Sequence, residues 1–433
     1  MSRSPHPTTA VPSLCVALCY FVGAPLASAG SCPAPLFAAD VLYGAGDFPR
    51  SIAIGTLNAD GFRNLVVANE NSGTVSVFLN DGSGGFAGQV TYATGANPQA
   101  VAIGDLDGDG DADIATANTG SGTVSILKNM GNGTFAAATS VAAGVTPFSI
   151  AIGTIDGDAD LDLAVTNAFG GPGLSILMNN GNGTFAAPVM YAAGSTASAV
   201  ALADLNGDGA NDVAIANGGF SNSTASILLN NGNGTFAPRV AYAAGQGPES
   251  VALGDLDGDN DADLVVANQF GDTISVLRNN GNGTFAPQTT YPTADPVSVA
   301  LGDFDDDGAL DVAVANGSGT DTVSIFLNGG TGTLAPGLPF GTGDGAEWVS
   351  VGDLDNDGDA DLAVANLSSD NASVLLNTCG PQGSPADLNG DGDVNGADLG
   401  LLLGAWGQSS PDLDGNGNVD GGDLAIMLGD WTG

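Results

Sequence analysis

The chain has 433 residues, with 6 Lys and Arg against 48 Asp and Glu, a formal net charge of −42. Only three acids are Glu, so 45 are Asp, and Gly numbers 68. This charge repels polyanions and argues against nucleic acid, anionic membrane surfaces and acidic polymers as partners. Asp with Gly is typical of turns and of loops that bind metal ions through oxygen. The hydrophobic content of 43% argues against disorder.

Residues 1–29 predict a secretory signal peptide. Residues 11–26 are nearly all apolar, follow Arg3, and precede the small-residue site Ala27-Ser28-Ala29. A transmembrane anchor is the alternative, but the apolar run is shorter than the roughly 20 residues of a span. We therefore expect a secreted or cell-surface protein with no membrane span, and a mature chain without His and with two Cys.

Internal repeats dominate the remaining sequence. An apolar run that leads into an Asp-rich loop occurs seven times at spacings of 48 to 51 residues, marked by Gly55, Gly104, Gly153, Ala203, Gly254, Gly302 and Gly352. A second marker, two apolar residues six positions apart, also occurs seven times, from Phe37/Tyr43 to Leu334/Phe340. Because the spacing is even, we expect both residues of a pair on one face of a strand.

Each repeat contains four strand candidates, illustrated by 99–104, 112–118, 123–128 and 135–141. Turn residues separate them, and no helix-length pattern occurs before residue 395. Four strands in about fifty residues, repeated seven times, predict an all-β, seven-bladed β-propeller over residues 30–379. A β-solenoid is the alternative architecture, although its repeats are usually shorter.

The two ends of the repeat region predict ring closure. The first marker pair precedes the first Asp loop, and the last repeat lacks its own pair, so an N-terminal strand is expected to complete the last blade. Alignment with the turn at Asn230 places Cys32 and Cys379 in the missing turn. A Cys32–Cys379 disulfide would latch the ring, and two unpaired thiols are the alternative.

The Asp loops predict calcium sites. Alternate carboxylates around a central Gly present oxygen ligands to one ion, which suits Ca²⁺ better than Mg²⁺ or Zn²⁺. Positions 1, 3, 5 and 9 are complete in five loops: Asp105, Asp107, Asp109 and Asp113; Asp204, Asn206, Asp208 and Asp212; Asp255, Asp257, Asp259 and Asp263; Asp303, Asp305, Asp307 and Asp311; Asp353, Asp355, Asp357 and Asp361.

Two loops are degenerate. The third repeat has Thr154 at position 1 and keeps Asp156, Asp158 and Asp162, so weaker binding is expected. The first repeat is expected to hold no ion, because its four positions are Thr56, Asn58, Asp60 and Asn64. Acidic hairpin turns on a solvated surface are the alternative interpretation of a single loop, but five such loops in register favour metal binding.

On these loops, residues 37–378 resemble the FG-GAP/VCBS repeat family, the calcium-loop propellers of the integrin α-chain type. The resemblance implies the propeller fold and calcium as the bound ion. Function stays open, because that family includes adhesion proteins, lectins and parts of enzymes.

Residues 386–433, after a linker at 380–385, predict a second calcium-binding domain. Two loops with the spacing of EF-hand ligands lie 25 residues apart, and each precedes a short apolar helix. The ligands are Asp387, Asn389, Asp391, Asn395 and Asp398 in the first loop, and Asp412, Asp414, Asn416, Asp420 and Asp423 in the second.

Asp at position 12 of each loop and a single helix after it make this segment resemble a type I dockerin, which implies a cohesin-like partner. Positions 10 and 11 are Gly396-Ala397 and Gly421-Gly422, which offer almost no side chain for recognition. A calcium-folded cap or another docking module is therefore the alternative.

Catalysis is not favoured by this composition, because the mature chain lacks His and its clustered Asp residues belong to the loops. Glu70, Glu249 and Glu347 are the acids that remain as catalytic candidates. We expect a non-catalytic adhesion or ligand-binding protein with a protein or glycan ligand at the propeller rim. A calcium-dependent lectin or carbohydrate-binding accessory protein, a structural protein of the envelope or matrix, and a polysaccharide lyase or hydrolase are the alternatives.

Overall fold

The computed structural model describes residues 35–219, 223–317 and 319–379, and parts of the C-terminal segment between 388 and 428. Residues 1–34 lie outside it, including the predicted signal peptide. Twenty-eight strands form seven four-stranded sheets, each antiparallel throughout. Among the described residues, no helix is long and apolar enough to cross a membrane.

Six blades are continuous in sequence. Blade 1 contains β2 (Pro49–Gly55), β3 (Asn64–Asn69), β4 (Thr74–Phe78) and β5 (Val90–Ala93). Blade 2 contains β6 (Pro98–Gly104), β7 (Asp113–Asn118), β8 (Thr123–Leu127) and β9 (Thr139–Ala142). Blade 3 contains β10 (Pro147–Gly153), β11 (Asp162–Asn167), β12 (Gly173–Leu177) and β13 (Val189–Ala192). Blade 4 contains β14 (Ala197–Ala203), β15 (Asp212–Asn217), β16 (Thr224–Leu228) and β17 (Val240–Ala243). Blade 5 contains β18 (Pro248–Gly254), β19 (Asp263–Asn268), β20 (Thr273–Leu277) and β21 (Thr289–Pro292). Blade 6 contains β22 (Pro296–Gly302), β23 (Asp311–Asn316), β24 (Thr322–Phe326) and β25 (Leu338–Gly341).

Blade 7 closes the ring with the N-terminal strand, as the sequence predicts. Its sheet order is β26 (Ala346–Gly352), β27 (Asp361–Asn366), β28 (Asn371–Leu375) and then β1 (Val41–Gly44). Val41 pairs with Val374, and an isolated bridge joins Phe37 to Asn377. Cys379 is buried and disulfide-bonded. Cys32 lies outside the described residues, so the predicted pairing stays a prediction.

The core lies between blades rather than within a single sheet. The second strands are completely buried, as in β3, because both of their faces pack against neighbouring blades. One hydrophobic cluster joins Ala53 and Val66 of blade 1 to Val101 and Ile103 of blade 2. Small and β-branched side chains suit this packing because the inner strands of adjacent blades lie close together.

The fourth strand differs from the predicted range 135–141. Phe135 forms only an isolated bridge with Asn129, and the strand itself begins at Thr139. The Ala136 N–H instead donates to the Lys128 carbonyl at 2.8 Å. Four other blades have Pro in this short interruption, where a ladder donor is not needed: Pro188, Pro238, Pro287 and Pro336.

We predicted that the two residues of each marker pair lie on one face of a strand, and this interruption makes that prediction wrong. Phe135 packs in the cluster between blades 1 and 2, whereas Val141 packs in the cluster between blades 2 and 3. The non-strand residues between them break the period-two alternation. As a result, the second marker of one blade meets the first marker of the next, as in the edge-to-face contact of Tyr92 with Phe135 at 5.4 Å.

A buried Asn after each third strand joins neighbouring blades. The Asn179 side-chain amide donates to the Leu106 carbonyl of blade 2 at 2.7 Å and to the Leu161 carbonyl of its own blade at 3.0 Å. Across the closure, Asn80 donates to the Leu354 carbonyl at 2.6 Å. The seven equivalent residues are Asn80, Asn129, Asn179, Asn230, Asn279, Asn328 and Asn377.

In the C-terminal segment, the structure describes one helix, α1 (Gly396–Gly404), close to the predicted 399–406. Val394, Leu402, Val419 and Met427 form a small buried cluster with flanking apolar residues. The cluster thus brings together described residues from 394–402 and from 419–427.

We expect Asn179→Ala to lower the free energy of unfolding by about 2–4 kcal/mol, because two buried carbonyls lose their donor. Urea denaturation followed by circular dichroism measures the change. Asn180→Ala is the matched control, since the Asn180 amide is exposed and donates only within its own turn to Thr184. Equal effects of the two variants would contradict a joining role for Asn179.

Candidate metal-binding loops

Each Asp loop connects the inner strand of a blade to the buried second strand. Position 9 of the loop is therefore the first residue of the second strand, and Asp113 is 1% exposed there. Its two carboxylate oxygens accept backbone N–H groups from Leu106 at 3.1 Å and Asn129 at 2.8 Å. The same pair of bonds occurs at Asp162, Asp212, Asp263, Asp311 and Asp361.

The structure brings predicted ligands together in five loops. In each, three carboxylates have oxygens within 4.8 Å of one another. The groups are Asp105, Asp107 and Asp113; Asp156, Asp158 and Asp162; Asp255, Asp257 and Asp259; Asp303, Asp305 and Asp311; and Asp353, Asp355 and Asp357. The loop of repeat 3, expected to bind more weakly, therefore has three converging carboxylates, as do four of the five complete loops.

The other two loops also contain internal hydrogen bonds, which the converging loops share, as at Asp105 with Gly108 and Gly110. In blade 4, both Asp204 carboxylate oxygens accept loop N–H groups, from Gly207 at 2.8 Å and Gly209 at 2.7 Å. In blade 1, the Asn58 side-chain amide donates to Asp60 at 2.7 Å. Neither loop is among the three-carboxylate groups of the described residues. The blade 1 loop has a single carboxylate, Asp60, at its four ligand positions, and the blade 4 loop has Asn206 in place of the position-3 carboxylate.

Several carboxylate oxygens in the converging loops have no hydrogen-bond partner although they are buried. They are the Oδ1 atoms of Asp107, Asp257, Asp303, Asp305 and Asp355, and the Oδ2 atom of Asp359. A buried carboxylate oxygen without a donor or cation is costly. Four of the six belong to position 3, so a hard cation at the centre of the loop would meet the need of the same atom in four blades.

Burial shifts the protonation of the position-9 carboxylates. It raises the pKa of Asp113, Asp162, Asp212 and Asp263 to about 6, against the opposing effect of the backbone N–H groups. It raises the pKa of Asp311 and Asp361 to about 8. Neighbouring carboxylates act in the same direction, because mutual repulsion also favours the protonated form.

The predicted C-terminal ligands lie outside the described residues, with one exception. Asp398 is buried at the start of α1, and its Oδ1 accepts the Leu388 N–H at 2.8 Å. The second metal-binding domain therefore stays a prediction.

The three glutamates gather at the opposite rim from the Asp loops. Arg50 binds Glu70 through Nε at 2.7 Å and also binds Glu347. Arg50, Glu249 and Glu347 all occupy the β-bulge at the start of an inner strand, and bulges redirect side chains. Burial, followed by the charge of Glu347, raises the pKa of Glu249 to about 7. Trp348 packs against the cluster between blades 7 and 1.

Sequence reasoning missed the joining Asn and the Glu–Arg group. Asn occurs at the same position in all seven repeats, which could have identified the first. No local pattern could have found the second, because Arg50 and Glu347 are 297 residues apart.

Comparison with models of protein families identifies the family to which this chain belongs. The FG-GAP-like repeat model matches six overlapping segments, 57–116, 108–165, 155–215, 204–266, 255–314 and 303–364, and the chain belongs to this family. Each match runs from one Asp loop to the next. No curated protein matches the chain.

Solved structures share the fold at low sequence identity. BBS1N, in a complex with ARL6DN, has 12% identity and a TM-score of 0.56, covering 79% of this chain and 96% of that one. An inactive virginiamycin B lyase from Staphylococcus aureus has 12% identity and a TM-score of 0.52, covering 79% and 99%. A lectin from Agrocybe aegerita has 22% identity and a TM-score of 0.49, covering 67% and 80%.

In calcium-free buffer, we expect the free energy of unfolding to fall as pH rises from 5 to 8. The folded chain holds protons on position-9 carboxylates up to about pH 6 to 8. The unfolded chain releases them near pH 4, so the folded state binds more protons in this window. Each such proton changes stability by about 1.4 kcal/mol per pH unit.

Urea denaturation at pH 5, 6, 7 and 8 measures this slope. Asp361→Asn is expected to flatten it between pH 6 and 8, whereas Asp47→Asn, at an exposed position, serves as the control. Stability that increases with pH in the absence of calcium would contradict the assignment.

Proposed function

We propose that this chain is a secreted, calcium-stabilised, non-catalytic propeller that binds a ligand in adhesion or recognition. The observation that carries the proposal is the set of five loops in which three carboxylates converge. The unpartnered position-3 oxygens in four of them support an ion at the centre. The N-terminal signal pattern supports secretion.

Calcium is the ion that this donor set favours. All candidate ligands are oxygens, and the loops contain no His or Cys, which argues against zinc. Clustered carboxylates on a flexible loop suit the large, irregular coordination shell of Ca²⁺ better than the strict octahedron of Mg²⁺. Asp105, Asp107, Asp109 and Asp113 would supply the ligands in blade 2, and the equivalent residues in the other loops.

The contacts of Glu70 and Glu347, two acids outside the Asp loops, favour a binding function over catalysis. Arg50 engages both Glu70 and Glu347, which keeps those carboxylates in an ion-paired network. FG-GAP repeats suit a ligand-binding or adhesion protein, although a lyase is among the structures with this fold. The C-terminal segment would serve as a calcium-dependent docking tail with a cohesin-like partner.

A carbohydrate ligand is the second candidate, supported by one pocket on the rim opposite the Asp loops. It has a volume of about 450 Å³ and lies between Phe169 and Gly170 of blade 3 and the connection at Ser195 and Thr196. The Phe169 side chain is 63% exposed. An exposed ring beside two hydroxyls offers a stacking face and hydrogen bonds to one neutral sugar.

Calcium is expected to raise the unfolding temperature strongly, because each site adds about 2.7 kcal/mol at one hundred times its Kd. Differential scanning calorimetry in calcium, magnesium and EDTA measures the effect. Asp305→Asn is expected to remove one site from the calcium stoichiometry, whereas Asp60→Asn, in the blade 1 loop, should leave it unchanged. The same unfolding temperature in calcium and EDTA would refute the proposal.

If the rim pocket binds sugar, a glycan array probed with the full chain in calcium is expected to show one class of neutral glycan. Phe169→Ala should weaken that binding at least tenfold, since stacking and apolar contact are lost. Phe270→Ala is the matched control, because Phe270 occupies the corresponding turn of blade 5 and is also exposed. Array binding that survives Phe169→Ala would place the ligand elsewhere.

A further inference from the structure

The residue that precedes each joining Asn, called here the seam residue, differs between blades. It is apolar in five blades and cationic in blades 2 and 5: Leu79, Lys128, Met178, Leu229, Arg278, Leu327 and Leu376. Four of the apolar members pack against a Gly of the next blade's turn: Leu79 at Gly133, Met178 at Gly234, Leu229 at Gly283 and Leu376 at Gly84. The seam residue therefore lies between one Asp loop and the next blade.

In blades 2 and 5 the seam residue makes an ion pair with position 3 of its own loop. Lys128 Nζ lies 2.9 Å from Asp107 Oδ2, and Arg278 lies 3.4 Å from Asp257 Oδ2. Both cations also bind the next blade's turn. Lys128 donates to the Asn182 carbonyl at 2.7 Å, and Arg278 donates to the Thr331 carbonyl. Each cation is thus a tether from a loop to the neighbouring blade.

The tether occupies only one oxygen of the position-3 carboxylate, so the other oxygen is available to bind an ion. Asp107 Oδ1 and Asp257 Oδ1 are the buried atoms without a partner, while the cation contacts Oδ2. A divalent ion could therefore still bind at Oδ1. The positive charge of Lys128 or Arg278 would then lie on the other side of the same carboxylate, and its repulsion would weaken binding of the ion. The same charge offsets repulsion among the loop carboxylates when no ion is bound.

From these contacts we propose that the loops form two calcium classes, and that Lys128 and Arg278 set the class. The tethered loops, at 105–113 and 255–263, bind calcium weakly and keep their shape without it. The untethered loops, at 156–162, 303–311 and 353–361, bind tightly and depend on the ion. This inference rests on the proposed calcium function and adds its regulation. As the calcium concentration falls, the loops of blades 2 and 5 stay ordered while the other loops lose their order.

The test replaces each cation with the apolar seam residue of another blade. Lys128→Met and Arg278→Leu reproduce Met178 and Leu229, so folding is expected to be preserved. Isothermal titration calorimetry of the calcium-free full chain should show two affinity classes in the unchanged protein. The double variant should move two sites into the tight class, with Kd lower by roughly tenfold. Lys128→Met should have the larger single effect, because Arg278 is more exposed and its contact is longer.

Hydrogen exchange in EDTA provides a second readout. Loop 105–113 should exchange more slowly than loop 353–361 in the unchanged chain and should lose this protection in Lys128→Met. Arg239→Gln is the control for net charge, because Arg239 binds Ser226 rather than a loop carboxylate. Calcium binding in a single class that Lys128→Met leaves unchanged would overturn the inference alone, whereas a chain that binds no calcium would overturn the proposed function as well.

Discussion

The propeller depends on one repeated pairing between an Asp and an Asn. In blades 2 to 7 this Asp begins the second strand and accepts the backbone N–H of the Asn that follows the third strand, as Asp162 does with Asn179. In blade 1, Asn64 takes the place of the Asp and accepts the Asn80 N–H through its side-chain oxygen. The Asn side chain then donates to a loop carbonyl of the preceding blade, Leu106 in this case. Because each link joins one blade's loop to the next, the chain of bonds runs around the ring. The hydrogen bond from Asn80 to the Leu354 carbonyl continues this series between blade 1 and blade 7.

This pairing fixes one end of each of these Asp loops. Position 9 is held by two backbone donors, so the loop ends in a fixed, buried carboxylate. The remaining carboxylates are then confined to a small volume, where burial and mutual repulsion raise the pKa of several of them. A bound cation would relieve that repulsion and stiffen the same bonds that hold the blades together. Ion binding and ring stability would then share one set of residues.

The two rims have different chemistry for a physical reason. Connections between first and second strands form the Asp loops, and the blade-to-blade connections lie on the other rim, where Arg50, Glu249 and Glu347 occupy the bulges. The pocket beside the exposed ring of Phe169 also lies on this second rim. A ligand in this pocket and an ion in an Asp loop would therefore be separated by the height of a blade, so the proposed ion would stabilise the fold without contacting the proposed ligand.

The sequence by itself determined the repeat number, the seven-bladed ring, its closure by the N-terminal strand and the positions of the Asp loops. These follow from periodic apolar runs and turn residues, which are local properties of the chain. The loop of repeat 3 shows the limit, because its three carboxylates converge despite Thr154 at position 1. Only the tertiary structure decided which faces the marker residues occupy, since the interruption at 136–138 reverses the alternation. It alone also placed Lys128 against Asp107 and gathered Glu70 and Glu347 around Arg50, because these contacts depend on how strands twist and blades pack across the ring.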